Sequence, residues 1–271
     1  MTGEGPPDAL DGALDRPSAA RVYDYLLGGD HNYAIDREFA ERQLRLAPEI
    51  RELARANRAF LRRAVTYAVR QGVHQFVDIG SGLPTQGNVH EVADRHAPGR
   101  SRVVYVDNDP ICRAHSAILL ADTADPERHF ALCADFHDGA ELWSRILETT
   151  PIDPGEPIAL LFVTTLHFLA RPEPTLSYYR DRLPPGSLLV LSHGATGDDV
   201  EAGLREVTEN YNRQTTNQVH VRTRTQIERL FGDFRLADPG LVPVQHWRPE
   251  GAPDALGAGD GQVLGGVAHK A

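Results

Sequence analysis

The sequence predicts an α/β fold: a mostly parallel sheet with helices on both faces, a helical segment before it and an antiparallel pair of strands at its end. Three observations carry this. Residues 18–72 are built from helical stretches, the longest repeating its apolar positions every 3.6 residues. After Gly72, short continuous apolar runs alternate with helix-length stretches, the pattern of parallel strands buried on both faces. The last two apolar runs have no helix between them, which favours antiparallel pairing at the sheet edge.

Taken in order, residues 1–17 are rich in Gly, Pro and Asp and read as a mobile tail. Pro17-Ser18 opens a short helix with Val22, Tyr25 and Leu26 on one side, ended by the paired Gly28 and Gly29. A loop runs to Tyr33, and a second helix covers about 36–46. Pro48 starts the longest helix, ending near Gly72, with Ile50, Leu53, Ala54, Leu61, Ala64, Val65 and Ala68 along one face. Asn57 falls on that face and needs a buried partner. One step round the helix lie Arg51, Arg55, Arg58 and Arg62, which read either as a solvated face or as a small anionic docking strip.

The pattern beyond predicts strands at 75–79, 102–107, 129–134, 158–164 and 187–192. Helices are expected at 86–96, 110–120, 139–148, 173–183 and 198–214. A helix at 225–231 precedes two strand-like runs, 241–247 and 262–268, around a Pro/Gly loop at 248–261. The chain divides into a tail (1–17), a helical extension or lid (18–72) and an α/β domain (73–271).

Composition narrows the chemistry. The 271 residues carry a net charge of −10 and are 41% hydrophobic, enough to bury a core. There are 27 arginines and a single lysine, Lys270. A phosphate-binding loop, a kinase site and Schiff-base chemistry all need a placed lysine, and one residue from the C-terminus is a poor place for it. The acidic balance argues against sequence-independent binding to nucleic acid or to anionic membranes. Cys112 and Cys133 show no metal or disulfide spacing and read as reduced thiols of a cytoplasmic protein. The N-terminus has no signal-peptide pattern, and the longest apolar stretch, 158–170, is too short and polar to span a bilayer.

The stretch Phe76-Val77-Asp78-Ile79-Gly80-Ser81-Gly82-Leu83-Pro84-Thr85 is a strand, a glycine turn and the approach to a helix. Glycines there let a ligand lie against backbone N–H groups. A dinucleotide site wants a third glycine where Thr85 stands. Asp78, two residues before Gly80, disfavours a pyrophosphate and suits a ligand carrying an ammonium or sulfonium. Asp107 ends the second strand a little over twenty residues later, where a carboxylate can take two ribose hydroxyls. Asp109 suits capping of the helix opened by Pro110. Asp135-Phe136, at the end of the third strand, can meet an adenine amino group and ring edge.

Together these residues resemble class I S-adenosylmethionine-dependent methyltransferases. A closer resemblance is to the actinobacterial S-adenosyl methyltransferase family, long listed as a domain of unknown function. It is carried by Arg21-Val22-Tyr23-Asp24-Tyr25-Leu26-Leu27-Gly28-Gly29, Ala54-Arg55-Ala56-Asn57-Arg58-Ala59-Phe60-Leu61 and Asp78-Ile79-Gly80-Ser81-Gly82-Leu83-Pro84-Thr85-Gln86-Gly87-Asn88. Tyr105-Val106-Asp107-Asn108-Asp109-Pro110, Leu166-His167-Phe168 and Pro239-Gly240-Leu241-Val242-Pro243 complete it.

The resemblance covers about 16–270. It implies a Rossmann-like seven-stranded sheet with the last strand, 262–268, antiparallel. It implies S-adenosyl-L-methionine as cofactor and S-adenosyl-L-homocysteine as product. Gly80, Ser81 and Gly82 would line the methionine part, with Asp78 near its amino group. Asp107 would take the ribose, Asn108 would flank the adenine, and Asp135 and Phe136 would meet it. Thr164 would border the sulfonium and the acceptor entrance. Relatives more often carry a lysine in the loop read here as Gly29-Asp30-His31-Asn32-Tyr33. The family supplies no acceptor.

Methyl transfer from a sulfonium needs alignment, and needs a base only if the acceptor must lose a proton. His167, after the fourth strand, is the candidate base, with His193 a weaker one. Tyr23, Asn32, Tyr33 and Asn57 are candidates for a lid or acceptor contact. No metal site is expected: there is no H-x-x-x-H, and Asp94 stands where a second histidine would follow His90-Glu91. Ser81 is no nucleophile elbow, since Ile79 and Leu83 occupy the glycine positions. Three functions remain: a methyltransferase for a small-molecule acceptor, a non-catalytic protein that keeps the fold to bind the cofactor or a partner, and a nicotinamide-dependent oxidoreductase. Thr85 and Asp78 speak against the last. The sequence assigns no oligomeric state.

Overall fold

The computed structural model describes residues 15–83, 87–123, 125–196, 202–215, 218–251 and 263–271. The expected tail at 1–14, Thr85 and the starts of two expected helices, 86 and 198–201, lie outside the described residues. Three helices come first: α1 (Ala19–Leu27), α2 (Ala34–Leu46) and α3 (Ile50–Arg70). Strands and helices then alternate: β1 (Gln75–Ile79), α4 (Val89–His96), β2 (Arg102–Asp107), α5 (Pro110–Thr123), β3 (His129–Cys133), α6 (Gly139–Thr149), β4 (Ile158–Val163), α7 (Glu173–Arg182) and β5 (Leu188–Gly194). The chain closes with α8 (Ala202–Gln214), α9 (Arg224–Arg229), β6 (Arg235–Leu236), β7 (Val242–Pro243) and β8 (Val263–His269).

The sheet runs β3-β2-β1-β4-β5-β8-β6, with β7 also on β8. β1 to β5 are parallel, and β8 lies antiparallel to β5. The expected antiparallel last strand is therefore present, but it sits inside the edge rather than at it. β6 and β7 pair with opposite halves of the outer side of β8, Leu236 opposite Ala268 and Val242 opposite Gly265. They are two pieces of one interrupted position, so eight strands fill the seven places expected.

The run 241–247, expected as a full strand, contributes only β7. Pro243 has no N–H to give to a ladder, and Val244–His246 turns into a short 3-10 helix. Trp247, fully buried, anchors this segment under α3, edge-on to Phe60 at 5.5 Å and to Tyr67 at 5.6 Å. Arg63 of α3 donates to the carbonyls of Trp247 and Val244. Likewise α4 starts at Val89 rather than 86, because the Glu91 carboxylate accepts from the N–H groups of Gly87 and Asn88 and fixes the first turn there.

Successive residues of β1 face opposite cores. Val77 and Ile79 pack with α6, α7 and α9, whereas Phe76 packs with α3 and α4. A third cluster joins Val22 and Leu26 of α1, Phe39 and Ala40 of α2, and Ala54 of α3. The 21 residues of α3 thus span from the helical extension onto the sheet.

The extension is pinned by a buried ion pair. Arg21 Nε donates to Asp36 Oδ2 at 2.7 Å, with both side chains 1% exposed or less. Asp36 also accepts from the N–H groups of Ser18 and Tyr33. Asp36→Ala leaves a buried guanidinium without its counter-charge, so it is expected to lower unfolding free energy by about 3–5 kcal/mol in a urea titration. Arg21→Met combined with Asp36→Leu removes both charges and should cost less than that single change.

Candidate functional site

Strand order reverses between β1 and β4: from β1 the sheet extends through β2 and β3 to one side, and from β4 through β5 to the other. The carboxyl ends of these two strands form the crevice where open α/β sheets take ligands. Gly80 and Gly82 hold φ of +66° and +65°, a region that L side chains avoid. A Cβ on Gly80 would lie 2.5 Å from Cγ2 of Thr165, which itself donates from Oγ1 to the Ile79 carbonyl. Gly80 and Ser81 donate their N–H groups to the Val106 carbonyl, which swings the turn across the end of β2.

That turn aims Asp107. Its Oδ2 accepts from Gly82 N–H at 2.8 Å and its Oδ1 from Asp109 N–H at 2.9 Å. Each oxygen keeps a second acceptor position for a ligand. Asp109 Oδ1 accepts from Ile111 N–H and caps α5, while its Oδ2 takes the Ser18 hydroxyl of the helical extension. Burial raises the Asp107 carboxyl, opposed by those backbone N–H groups. Asp78, 5% exposed, is pushed up to about 7 by burial, with Arg58 opposing and Asp107 adding to the rise. A buried carboxylate near neutrality is stabilised by any cation placed beside it.

The opposite wall is joined to these strand ends by Asn57. Its Nδ2 donates to Tyr23 Oη at 3.0 Å and to Thr164 Oγ1 at 3.3 Å, and its Oδ1 accepts from Ser192 Oγ at 2.7 Å. Ser192 Oγ in turn accepts from Thr164 N–H, and Tyr23 donates to the Ala54 carbonyl. Thr164 sits at φ +54°, which for a β-branched residue costs of order 1–3 kcal/mol. The network holds it there, at the head of the turn that carries His167.

One cavity of about 1090 Å³ connects these parts. From the strand ends it is lined by Asp78, Gly80, Ser81, Gly82, Asp107 and Asn108, with Phe136 beyond; from the middle by Thr164 and His167; from the helices by Tyr23 and Asn57. These are residues the sequence singled out, and the fold brings them to one space. His167 is held neutral, its pKa pushed down to about 3 by burial, with His193, Arg222 and His220 adding to the fall.

Four singled-out residues do not line that cavity. Asp135 is exposed and turns to His137, accepting from its backbone N–H and pairing with its ring; against the opposing effect of burial, these bonds keep its pKa low. His137, stacked on Phe136 at 4.9 Å, reaches the cavity in its place. His193 is fully buried, and both ring nitrogens are engaged, one with the Gly194 carbonyl and one with Arg222. Asn32 is spent on the α1–α2 turn, donating to Asp24 Oδ2 and the Gly29 carbonyl. Tyr33 is 43% exposed and packs beside the Arg21 guanidinium.

Other lining residues were given no place in the site by the sequence. Arg58 lines the cavity beside Asp78, whereas Arg51 and Arg55 pair with Glu41 and Glu52, so the arginine strip is largely spent within the molecule. Gln43 and Phe39 of α2, Phe168 after β4 and Tyr211 of α8 form a helical wall whose members lie far apart in the chain. Arg222 organises this side, donating to the carbonyls of Leu166, Leu169 and Ala170. Lys270 is not among the lining residues; its Nζ donates to the Arg180 carbonyl. No described helix is long and apolar enough to cross a membrane.

A glycine cradle, a carboxylate aimed by two N–H groups and a second buried carboxylate fit a cationic ligand bearing vicinal hydroxyls. Known proteins agree. A putative methyltransferase from Thermobifida fusca is 36% identical, with 98% of each chain covered and a TM-score of 0.85. A DUF574 family protein from Streptomyces avermitilis is 34% identical over 95% of this chain and 99% of its own, with a TM-score of 0.87. The magnesium protoporphyrin IX methyltransferase of Synechocystis, 10% identical with a TM-score of 0.53 and 92% and 93% of the two chains covered, shares the fold. No curated protein matches the chain. The family model described as S-adenosyl methyltransferase matches residues 6–271, and with it this chain belongs to the S-adenosyl methyltransferase family, whose methyl donor is S-adenosylmethionine.

Proposed function

We propose that this protein transfers the methyl group of S-adenosylmethionine to a small-molecule acceptor by in-line displacement. The observation that carries this reading is the single cavity. Its strand-end floor offers glycines and carboxylates, its helical wall is rich in apolar and aromatic side chains, and the two meet at Thr164. When bound, the cofactor supplies a methyl group already activated by the sulfonium charge. Gly80, Ser81 and Gly82 line its methionine part and Asp78 faces its amino group. Asp107 takes the ribose hydroxyls, and Asn108, Phe136 and His137 surround the base. Thr164, locked by Asn57, borders the acceptor entrance. Tyr23 and Asn57 close the space from above and help exclude water.

His167 acts as a neutral hydrogen-bonding group, not as the proton acceptor that its position in the sequence suggested. A histidine with a pKa near 3 is a weak base at neutral pH. Alignment and charge complementarity are then the protein's main contributions.

Thermal-shift measurements with S-adenosylmethionine, S-adenosylhomocysteine and NAD test the cofactor, and stabilisation by NAD alone overturns the reading. Radiolabelled methyl donor incubated with small-molecule extracts tests transfer, with label expected in a low-molecular-weight product.

Asp107→Ala removes two charge-assisted bonds and is expected to weaken S-adenosylmethionine binding on the order of 100-fold or more by calorimetry. Asp78 must be ionised to meet a cation. Affinity should therefore climb by about tenfold per unit from pH 5 and level off near pH 7, and Asp78→Asn should abolish the climb. His167→Gln should retain more transfer activity than His167→Ala, and neither should remove an inflection between pH 5 and 9, since His167 does not change charge there.

A further inference from the structure

At about 1090 Å³ the cavity stands at the top of the roughly 300–1,000 Å³ range of ligand pockets. The carboxylates Asp78 and Asp107 stand at the strand ends. The part beyond Thr164 is walled by α2, α3, α8 and the turn after β4, and its character is different. Phe39 meets Tyr211 edge-on at 5.7 Å, and Phe168 lies 6.3 Å from the same ring. Leu53 and Ile50 continue the apolar wall.

Gln43 breaks this wall. It lies one helical turn after Phe39, it lines the cavity, and it is 4% exposed. Among the described residues, neither its Oε1 nor its Nε2 has a hydrogen-bond partner. Leaving such an atom unpaired is costly, and buried polar groups in folded proteins are nearly always paired. A leucine or methionine would fill the same volume at no such cost. An amide with both ends unmet fits a ligand that presents a donor and an acceptor side by side. The aromatic wall fits a flat ring, and the neutral His167 at its edge brings no counter-charge for an anion.

We propose that the methyl acceptor is an uncharged aromatic compound carrying an adjacent N–H donor and carbonyl, as in a lactam or carboxamide, and that Gln43 reads this edge. The assignment rests on the methyltransferase reading of the same cavity. Glutamine is suited to the role because its amide supplies one donor face and one acceptor face and turns about three side-chain torsions to meet an occupant. Specificity then comes from the polar edge. An analogue lacking the N–H would leave the Gln43 carbonyl buried and unpaired, and a site built to bond such a group rejects the analogue strongly.

Calorimetry on the full chain saturated with S-adenosylhomocysteine tests this with 2-quinolinone, 1-methyl-2-quinolinone and quinoline-2-carboxylate as probes. 2-Quinolinone is expected to bind at least tenfold tighter than the other two, and Gln43→Leu should bring it level with the N-methyl compound. Equal affinity of the wild-type protein for all three, tighter binding of the carboxylate, or no binding of 2-quinolinone overturns the proposal. Failure of S-adenosylhomocysteine to bind overturns the methyltransferase reading instead.

Discussion

The buried amide of Asn57 is the constraint on which the site depends. It is 2% exposed and touches α1 through Tyr23, the end of β4 through Thr164, and β5 through Ser192. A buried amide must satisfy its donors and acceptor or cost free energy. That requirement fixes how the helical extension sits on the sheet. It also holds Thr164 in a backbone conformation that a threonine would otherwise leave. The cradle at Gly80 and the helical wall meet where this network ties them.

Charge is arranged with the same economy. Asp78 and Asp107 stand within one cavity, each raised by burial, and Arg58 partly offsets Asp78. Two partly desolvated carboxylates are an unfavourable arrangement for an empty protein and a favourable one for a protein that receives a cation. The near-absence of lysine fits this picture. The cations lining the cavity include Arg21, already spent on Asp36, and Arg58, and the one lysine lies outside that lining.

The parallel strands were legible because burial on both faces leaves a continuous apolar run, and Asp78, Gly80, Gly82 and Asp107 because acids and glycines fall together at the carboxyl ends of such runs, where open α/β sheets take ligands. Asn57 was legible as a polar residue on an apolar face. Asp135 was misplaced because its two bonds to His137 are a local choice of rotamer that spacing does not encode. His193 was read as a site residue from its place at a strand end, but Arg222, 29 residues later, claims its free nitrogen. The run at 241–247 looked like a strand because its residues are apolar. Their apolarity serves Trp247 and its contacts with α3 instead.

The sequence by itself determined the α/β class, the position of the glycine turn and the acidic residues beside it. These follow from hydrophobic period, glycine and acid placed within a few residues of each other. The helical wall was decided by tertiary structure alone. Gln43, Phe168 and Tyr211 belong to three separate elements, and nothing in any one stretch of chain places it beside the other two. Only the packing of α2 and α8 over the end of β4 brings an unpaired amide and three aromatic rings around the same space. That packing is set by long-range burial, Phe39 and Ala40 of α2 closing on Tyr211 of α8, which no local pattern contains.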